Sequence, residues 1–550
     1  YNENQEYKFN KGGVDFVNGF YNTYDIKNTI WDNSLIVSYT RPMGDHFTVS
    51  GRLGGNMRND KTNSTFVSSQ NQLARNLFRH SNFIDNVASN GEVEQTRIGV
   101  FGEITADVND YLYLNLAARN DWTSTVEVPN RQIFYPSGSI SFVPTSAFSG
   151  LQGSKLLSFL KLRAGIGTSA GFPYPYSTRN VLNQSARGWL NSSGTTVQTH
   201  SVDNTLGNPN LKPELHTEIE FGLEGRLLSN RVSFDITAYQ RNTRDLITNS
   251  PLDASTGYTA TTINIGKIRN EGIEISLSGT AIKRGDFAWD LTGVFSRNVP
   301  KVLDLGGTLQ EVQIAGFGGG LGNYAVVGKP FNLIKGTGYR RNDQGQLQID
   351  ASGNLLTTTS PVELGNPNPA FTSSLINEFK YKSLTLSVML SYRHGGAMYS
   401  STAGALLGRG LVSVDNGKLA GTDRAQTIIV PGVKNADGTV NDVQVTASDF
   451  YFNNYYFFGD EGRIFDGSTI RLQEVSLAWQ LPKKALSKLS IKGASLSLFG
   501  NNLWYRALYF PKNLNFDTDN LGQGVGNGLG FEFLTGPSAR RLGGTLKITF

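Results

Sequence analysis

Little in this chain is placed for covalent chemistry. Five histidines, His46, His80, His200, His216 and His394, are scattered over 550 residues. None has the short spacing of metal ligands, so they read as ordinary strand and loop residues. Ser391 and His394 share a strand but fall on opposite faces, so they do not form a nucleophile–base pair. No Gly-x-Ser-x-Gly elbow stands in a strand–turn–helix context. A glycosidase needs two carboxylates facing one sugar across a cleft. The nearest acid pair, Asp460-Glu461, consists of sequence neighbours that seldom converge that way, and it reads as a solvated loop tip. Asp517-Thr518-Asp519-Asn520 offers oxygen ligands that suit Ca²⁺, but reads first as the turn-forming Asx residues of a solvated loop. Gly316 to Gly322 lacks the Lys and helix start of a phosphate loop. There is no cysteine and therefore no thiol chemistry. The expectation is a protein that is not an enzyme: no catalytic residue, no metal site, and no cofactor apart from the loop Ca²⁺ option.

Binding is better represented. Glu218, Glu220 and Glu224 share one face of a strand, opposite Leu215, Ile219, Phe221 and Leu223; in a barrel that face is the lumen, where they read as polar lining that meets a plug before they read as substrate contacts. Aromatics in long connections, Trp189, Tyr451, Tyr455 and Tyr456 together with Trp504, suit stacking on a sugar ring or docking a partner, with internal loop packing an equal reading. Other aromatics gather near strand ends. Trp122, Tyr239, Tyr392, Trp504 and Tyr505 lie at one side and Tyr111, Tyr381 and Trp289 at the other, as membrane-interface girdles do.

The elements that carry these residues are strands. Arg541 to Phe550 alternates strictly: Leu542, Gly544, Leu546, Ile548 and Phe550 on one face, Arg541, Gly543, Thr545, Lys547 and Thr549 on the other. Similar segments recur at Ser34–Thr40, His46–Asn56, Glu94–Val108, Tyr111–Trp122, Tyr135–Pro144, Phe159–Ser169, Glu214–Leu227, Arg231–Thr243, Lys267–Ile282, Asp286–Asn298, Phe371–Tyr381, Leu384–Gly395, Thr469–Leu481 and Leu489–Tyr505. Thr469–Leu481 and Leu489–Tyr505 each slip phase once, which predicts bulges. Connections alternate short and long, the long ones being Met57–Val93, Ala170–Pro213, Arg244–Gly266, Val299–Ala370, Ala397–Ser468 and Arg506–Ala539. That rhythm predicts an all-β, transmembrane, up-and-down antiparallel barrel of about fifteen strands, with turns at the periplasmic rim and loops outside. Gly13–Tyr24 could hold part of one more strand, and Val299–Ala370 an extra pair, such as Asn332–Arg341, or a segment folded into the lumen.

Composition agrees. Charged residues are 17 %, against about 25 % in soluble proteins, while Gly numbers 62 and aromatics reach 11 %. The net charge of +5 is nowhere gathered into a basic run, so nucleic acid is not an expected partner. No stretch approaches the ~20 apolar residues of a spanning helix. Tyr1–Asn10 is not a signal peptide, and fifteen strands leave two open edges that a bilayer cannot solvate. Residues 1–550 are therefore expected to be the C-terminal portion of a longer barrel protein.

Several stretches resemble the SusC-like family of TonB-dependent outer-membrane transporters of the Bacteroidetes. Phe159 to Gly167 is similar to its "LKLRASYG" strand, Asn208 to Glu214 to "NPxLKPE", Asn270 to Glu274 to "NxGIE" and Gly365 to Pro369 to "GNPNP". Asp466 to Leu472 with Val475 to Pro482 resembles "DGSFLRLxNVSLGYxLP", and Phe499 to Leu503 resembles "GQNLxT". The likeness runs from Tyr111 to Phe550; residues 1–110 match only in general character. The chain departs at Gly395-Gly396-Ala397-Met398-Tyr399, where an acidic residue often follows the Gly pair, and at Trp504, usually Thr or Phe. The resemblance implies a 22-stranded barrel around a plug, in the bacterial outer membrane among lipid and lipopolysaccharide. It also implies a SusD-like lipoprotein lid, energy from TonB-ExbB-ExbD through an N-terminal part not in this numbering, and a glycan or oligopeptide as substrate. The lid contact is expected at Ala170–Pro213, Ala397–Ser468 and Arg506–Ala539. The alternative is a structural or partner-docking subunit of a larger outer-membrane assembly or secretion complex.

Overall fold

A computed structural model describes residues 2–8, 18–411, 425–457, 459–482, 486, 491–510, 514–519, 521–522, 524 and 526–550; the side chains of residues 2–8, 184–190, 198, 251, 254, 456 and 457 lie outside that description. Its frame is one antiparallel sheet of 16 strands in sequence order. The strands are β1 (Asn2–Lys8), β2 (Phe20–Pro42), β3 (Phe47–Gln72), β4 (Phe83–Val108), β5 (Leu112–Thr123), β6 (Gln132–Phe142), β7 (Leu157–Gly171) and β8 (Glu214–Leu227). They continue with β9 (Val232–Arg244), β10 (Lys267–Arg284), β11 (Phe287–Asp304), β12 (Phe371–Tyr381), β13 (Leu384–His394), β14 (Thr469–Gln480), β15 (Gly493–Ala507) and β16 (Arg541–Thr549). The fifteen strands expected from alternation are β2 to β16. The sixteenth is Asn2–Lys8, not Gly13–Tyr24: Phe20–Tyr24 belongs to β2, and residues 9–17 lie outside the described set. Asn2–Lys8 carries no apolar alternation, so only its pairing with β2 reveals it.

Register explains the two faces. Leu162, Leu223, Ile236, Ile275 and Phe295 sit side by side across five neighbouring strands. One residue further along, Arg163, Gly222, Thr237, Glu274 and Ser296 form the row behind them. The apolar side is bare: Leu35 is 74 % exposed, Phe221 62 % and Leu546 61 %. An apolar belt of that extent is stable only against lipid, which is the two-faced pattern of a membrane barrel. Phe295, Phe371, Tyr392 and His394 cluster on this side at the outer end, with centroids 5.1–5.7 Å from Phe371. Trp289 stacks on Phe379 at the inner end. Two expected girdle residues face the other way. Tyr239 pairs with Glu220 and covers Gly272 on the polar side, and Tyr505 lies with Arg471 there. The second follows from the phase slip, which falls where predicted: Leu472 pairs with Trp504 but Glu474 with Asn501, leaving Gln473, Asn502 and Leu503 outside the ladder.

The inner-rim turns are tight. Asn109 and Asp110 both have positive φ, as the central residues of a type I′ turn do, and the Tyr111 N–H closes the turn on the Val108 carbonyl. One helical turn, α1 (Pro144–Ala147), fills part of the link between β6 and β7. The long connections meet at the opposite rim. Two differ from expectation. Much of Met57–Val93 is not loop but the continuation of β3 and β4, whose upper residues are mostly polar, with the few apolar ones on both faces, and so show no alternation. Residues 305–370 add no strand to the wall. They build a separate four-stranded sheet from Glu311–Gly316, Gly322–Val326, Leu333–Gly336 and Val362–Gly365, packed through Val302, Leu305, Val312 and Ala325.

A Cβ at Gly272 would lie 2.3 Å from the Tyr239 ring. Gly272→Leu is expected to destabilise the folded barrel by about 1–3 kcal/mol through overpacking, read as a lower denaturant midpoint in detergent, and Tyr239→Ala in the same chain to restore most of it.

Candidate functional site

The described parts of the long connections form a fastened deck at the outer rim rather than free loops. The Asn208–Glu214 stretch is its first fastener. Leu211 is fully buried. Asn264 accepts the Lys212 N–H (2.9 Å) and donates to the Lys212 carbonyl (2.7 Å), so the side chain mimics a paired strand. Asn208 donates to the Thr262 carbonyl (2.9 Å), Asn130 to the carbonyls of Asn210 and Leu211, and the Ile247 N–H donates to Glu214 (3.0 Å). One short stretch thus ties residues 124–131, 172–213 and 245–266 together. Arg179 adds a bidentate clasp on Glu127 at 2.7 and 2.8 Å.

Around β14 the loops close on one another. The Ala397 N–H donates to the Asn366 carbonyl, Asn368 to the Phe331 carbonyl and the Gly395 N–H to Ser468 Oγ. Arg471 is the centre. Its side chain is 6 % exposed and grips Asp517, 3 % exposed, then Asp519 at 2.8 Å and Asn502 at 2.5 Å. Burial pushes the Asp517 carboxyl up, but the Arg471 guanidinium outweighs it and holds the group below the ordinary carboxylate range. Glu532 is wholly buried and accepts from Ser400 Oγ (2.7 Å), the Thr402 N–H (3.0 Å) and hydroxyl (2.6 Å), and the Thr535 N–H (2.6 Å). It sits at the start of helix α2 (Ser401–Gly408), where the first-turn donors and the helix dipole favour an anion.

The acid pair Asp460-Glu461 is not a solvated tip. Asp460 accepts the Thr337 N–H (2.9 Å); Glu461 accepts the Tyr339 N–H (2.7 Å) and pairs with Arg341 at 2.6 Å. Both carboxylates are spent on pinning the 305–370 sheet. The oxygens of Asp517 and Asp519 are likewise engaged by arginines, and among the described residues no group of three or more acidic or histidine side chains is placed to hold a metal.

Below the deck, the polar side of β5 to β9 carries a concavity of about 510 Å³ lined by Asn115, Ser137, Ser139, Arg163, Glu218 and Arg241, among others. Arg163 spans Glu220 (3.2 Å) and Asp235 (2.9 Å). Glu218 stands opposite Arg241, and Glu224 opposite Lys161 and Asp235. The three glutamates thus lie on the polar side of the wall. The aromatics divide differently. Tyr451, in helix α3 (Ala447–Tyr451), is buried against Phe450 and Tyr455, so it packs the loop instead of offering a face. Trp504 is on β15, paired with Leu472 on the apolar side, not in a loop. Trp189 is on the Leu182–Leu190 strand of a surface hairpin and Tyr456 in the Phe452–Phe457 turn; their side chains lie outside the described residues. Sequence reasoning missed Asn264, Arg471 and Glu532. Arg471 had a visible signal, a charge inside a resembling stretch beside a phase slip; Glu532 and Asn264 had none, because the segments they join to themselves, Ser400 with Thr402 and Lys212, lie more than fifty residues away.

Two outcomes follow from these fasteners. Arg471→Ala leaves Asp517 buried without its ion partner, a loss of about 3–5 kcal/mol; limited proteolysis is expected to cut residues 508–540 first, and Arg471→Met with Asp517→Leu to resist far better. Hydrogen bonds from Arg179 and Thr178 lower Glu127 to about 2. A carboxylate depressed in the folded state contributes stability above its unfolded value of about 4.5 and loses it as pH falls through 2. Loosening of residues 172–181, followed by hydrogen exchange corrected for intrinsic rate, should therefore appear only on acidification in the parent chain and at every pH in Glu127→Gln.

Residues 1–503 match the TonB dependent receptor-like β-barrel family. TonB-dependent receptor P26 of Formosa agariphila is 24 % identical over 557 residues, 94 % of this chain and 53 % of the relative. TonB-dependent receptor SusC of Bacteroides thetaiotaomicron is 30 % identical over 219 residues, 38 % of this chain and 21 % of the relative. The chain thus spans about half the length of the first of these curated relatives. A solved structure of the RagAB peptide transporter shares the fold, with a TM-score of 0.74 at 18 % identity over 100 % of this chain and 58 % of that one. With a two-faced antiparallel wall, turns at one rim and a fastened deck at the other, the chain belongs to the TonB-dependent receptor β-barrel family of the bacterial outer membrane.

Proposed function

We propose that this chain is the wall and cell-surface deck of a SusC-like, TonB-dependent nutrient importer. One observation carries the reading. The long connections are locked into a fixed surface at the outer rim, above a polar wall whose glutamates and arginines are held in pairs. A fixed deck can present a binding surface, and a polar wall can accommodate a plug and a wet cargo. On this reading residues 1–550 form the C-terminal portion of a 22-stranded barrel, and the plug and TonB-contacting part belong to a longer protein. A nutrient, a glycan fragment or an oligopeptide, binds between the deck and a SusD-like lipoprotein. TonB, driven by ExbB-ExbD, pulls the plug and the cargo passes. Glu218, Glu220 and Glu224 line that path and meet the plug.

Import is tested in the host by gene deletion and complementation. Deletion is expected to abolish uptake of labelled glycan fragments or oligopeptides. A chain lacking residues 508–540 is expected to restore barrel assembly but neither uptake nor co-purification of the lid lipoprotein. Unchanged uptake in the deletion strain, with secretion or assembly components co-purifying, would instead identify a scaffold.

A further inference from the structure

Strands β2, β3 and β4 are far longer than a bilayer needs. β3 and β4 have 26 residues each, against the ~10 of a spanning strand. Their inner ends are level with β5, since Val108 pairs with Leu112, but β5 ends at Thr123 opposite Arg97. The part of β4 from Phe83 to Thr96 therefore rises above its neighbour by up to about 45 Å, paired only to β3.

The edge this leaves is partly finished and then abandoned. The Thr96 N–H donates to Ser124 Oγ (2.9 Å) and its carbonyl accepts the Ser124 N–H (3.0 Å). Two residues higher, the Glu94 N–H donates to the Tyr176 hydroxyl (3.2 Å). Backbone direction alternates along a strand, so the N–H and C=O of Glu92, Asn90, Ala88 and Asn86 point the same way. Among the described residues these backbone groups have no hydrogen-bond partner. Exposed edges are ordinarily blunted by charged side chains, Pro or a bulge. Between Asn86 and Gly91 there is no charged residue and no Pro, and no register shift interrupts the ladder to β3. Both faces are open as well: Ile84 is 66 % exposed and Val87 50 %.

We propose that this edge receives an extended segment of another protein at the cell surface, added as a strand beside β4. The ladder of unpaired donors and acceptors specifies a strand rather than a helix or a sugar. Asp85, Glu92 and Glu94 line the edge, and Lys61 at 2.8 Å is already paired with Glu92, so the incoming strand is neutral or basic. A second copy of this chain does not fit. Two barrels in one membrane would present their β4 edges in parallel about an axis along the strand, setting donors against donors. The inference is independent of what is imported.

Hydrogen exchange resolved by residue tests it. In outer-membrane vesicles from the host, the amides of Asn86, Ala88, Asn90 and Glu92 are expected to exchange about tenfold or more slowly than in the purified barrel. Val87 and Ser89, bonded to β3, stay slow in both and report the fold. Ala88→Pro removes a donor that faces away from β3 and should abolish the difference; Ala88→Lys, which keeps the backbone intact, should weaken it. The chain has no cysteine, so Asn86→Cys, Ala88→Cys and Asn90→Cys each give a single cross-linking point. Links stepping two residues at a time along one partner segment support strand addition. Equally fast exchange in vesicles and purified protein, or links scattered over unrelated segments, overturns it.

Discussion

A peptide backbone crossing lipid must satisfy its N–H and C=O groups from within, because nothing in the bilayer core can do so. In this chain that requirement is met by ladders between sequence neighbours, and the remaining features follow from it. Neighbours pair because most inner turns are too short for anything else. Side chains then alternate between lipid and a polar interior, and connections are long only where water receives them. The apolar row Leu162, Leu223, Ile236, Ile275, Phe295 and the charged groups one residue along are two consequences of the same pleat.

The outer rim obeys a different rule. Loops there could hydrogen-bond to water, yet many are tied down by single side chains that imitate backbone. Asn264 imitates a strand partner for Lys212, Glu532 caps α2, and Glu461 takes the Tyr339 N–H. Each fastener joins segments far apart in sequence, so closing it fixes a long loop against substantial entropy. That cost is repaid only if the loop's position matters, which is why a deck of this kind reads as a binding surface and not as connecting chain. The resembling stretches Asn208–Glu214, Gly365–Pro369 and Asp466–Leu472 all sit at these joints.

Legibility tracked the environment. Strands β2 to β16 were visible because lipid demands apolar residues at every second position. Where the same strands leave the membrane the demand disappears, so the tops of β3 and β4 look like loop, and Asn2–Lys8 looks like nothing. The phase slips in β14 and β15 were visible for the same reason that the strands were, and they also decide that Tyr505 faces Arg471 while Trp504 faces lipid.

From the order of residues alone came the membrane, the up-and-down order of the strands and the alternation of short and long connections. All of these follow from a two-residue period that local sequence displays directly. Only the folded chain decided which carboxylates are spent in holding loops, that Tyr451 is buried, that residues 305–370 form their own sheet, and that β4 stands free above β5. Those outcomes depend on contacts between residues tens to hundreds of positions apart, and no local period encodes them.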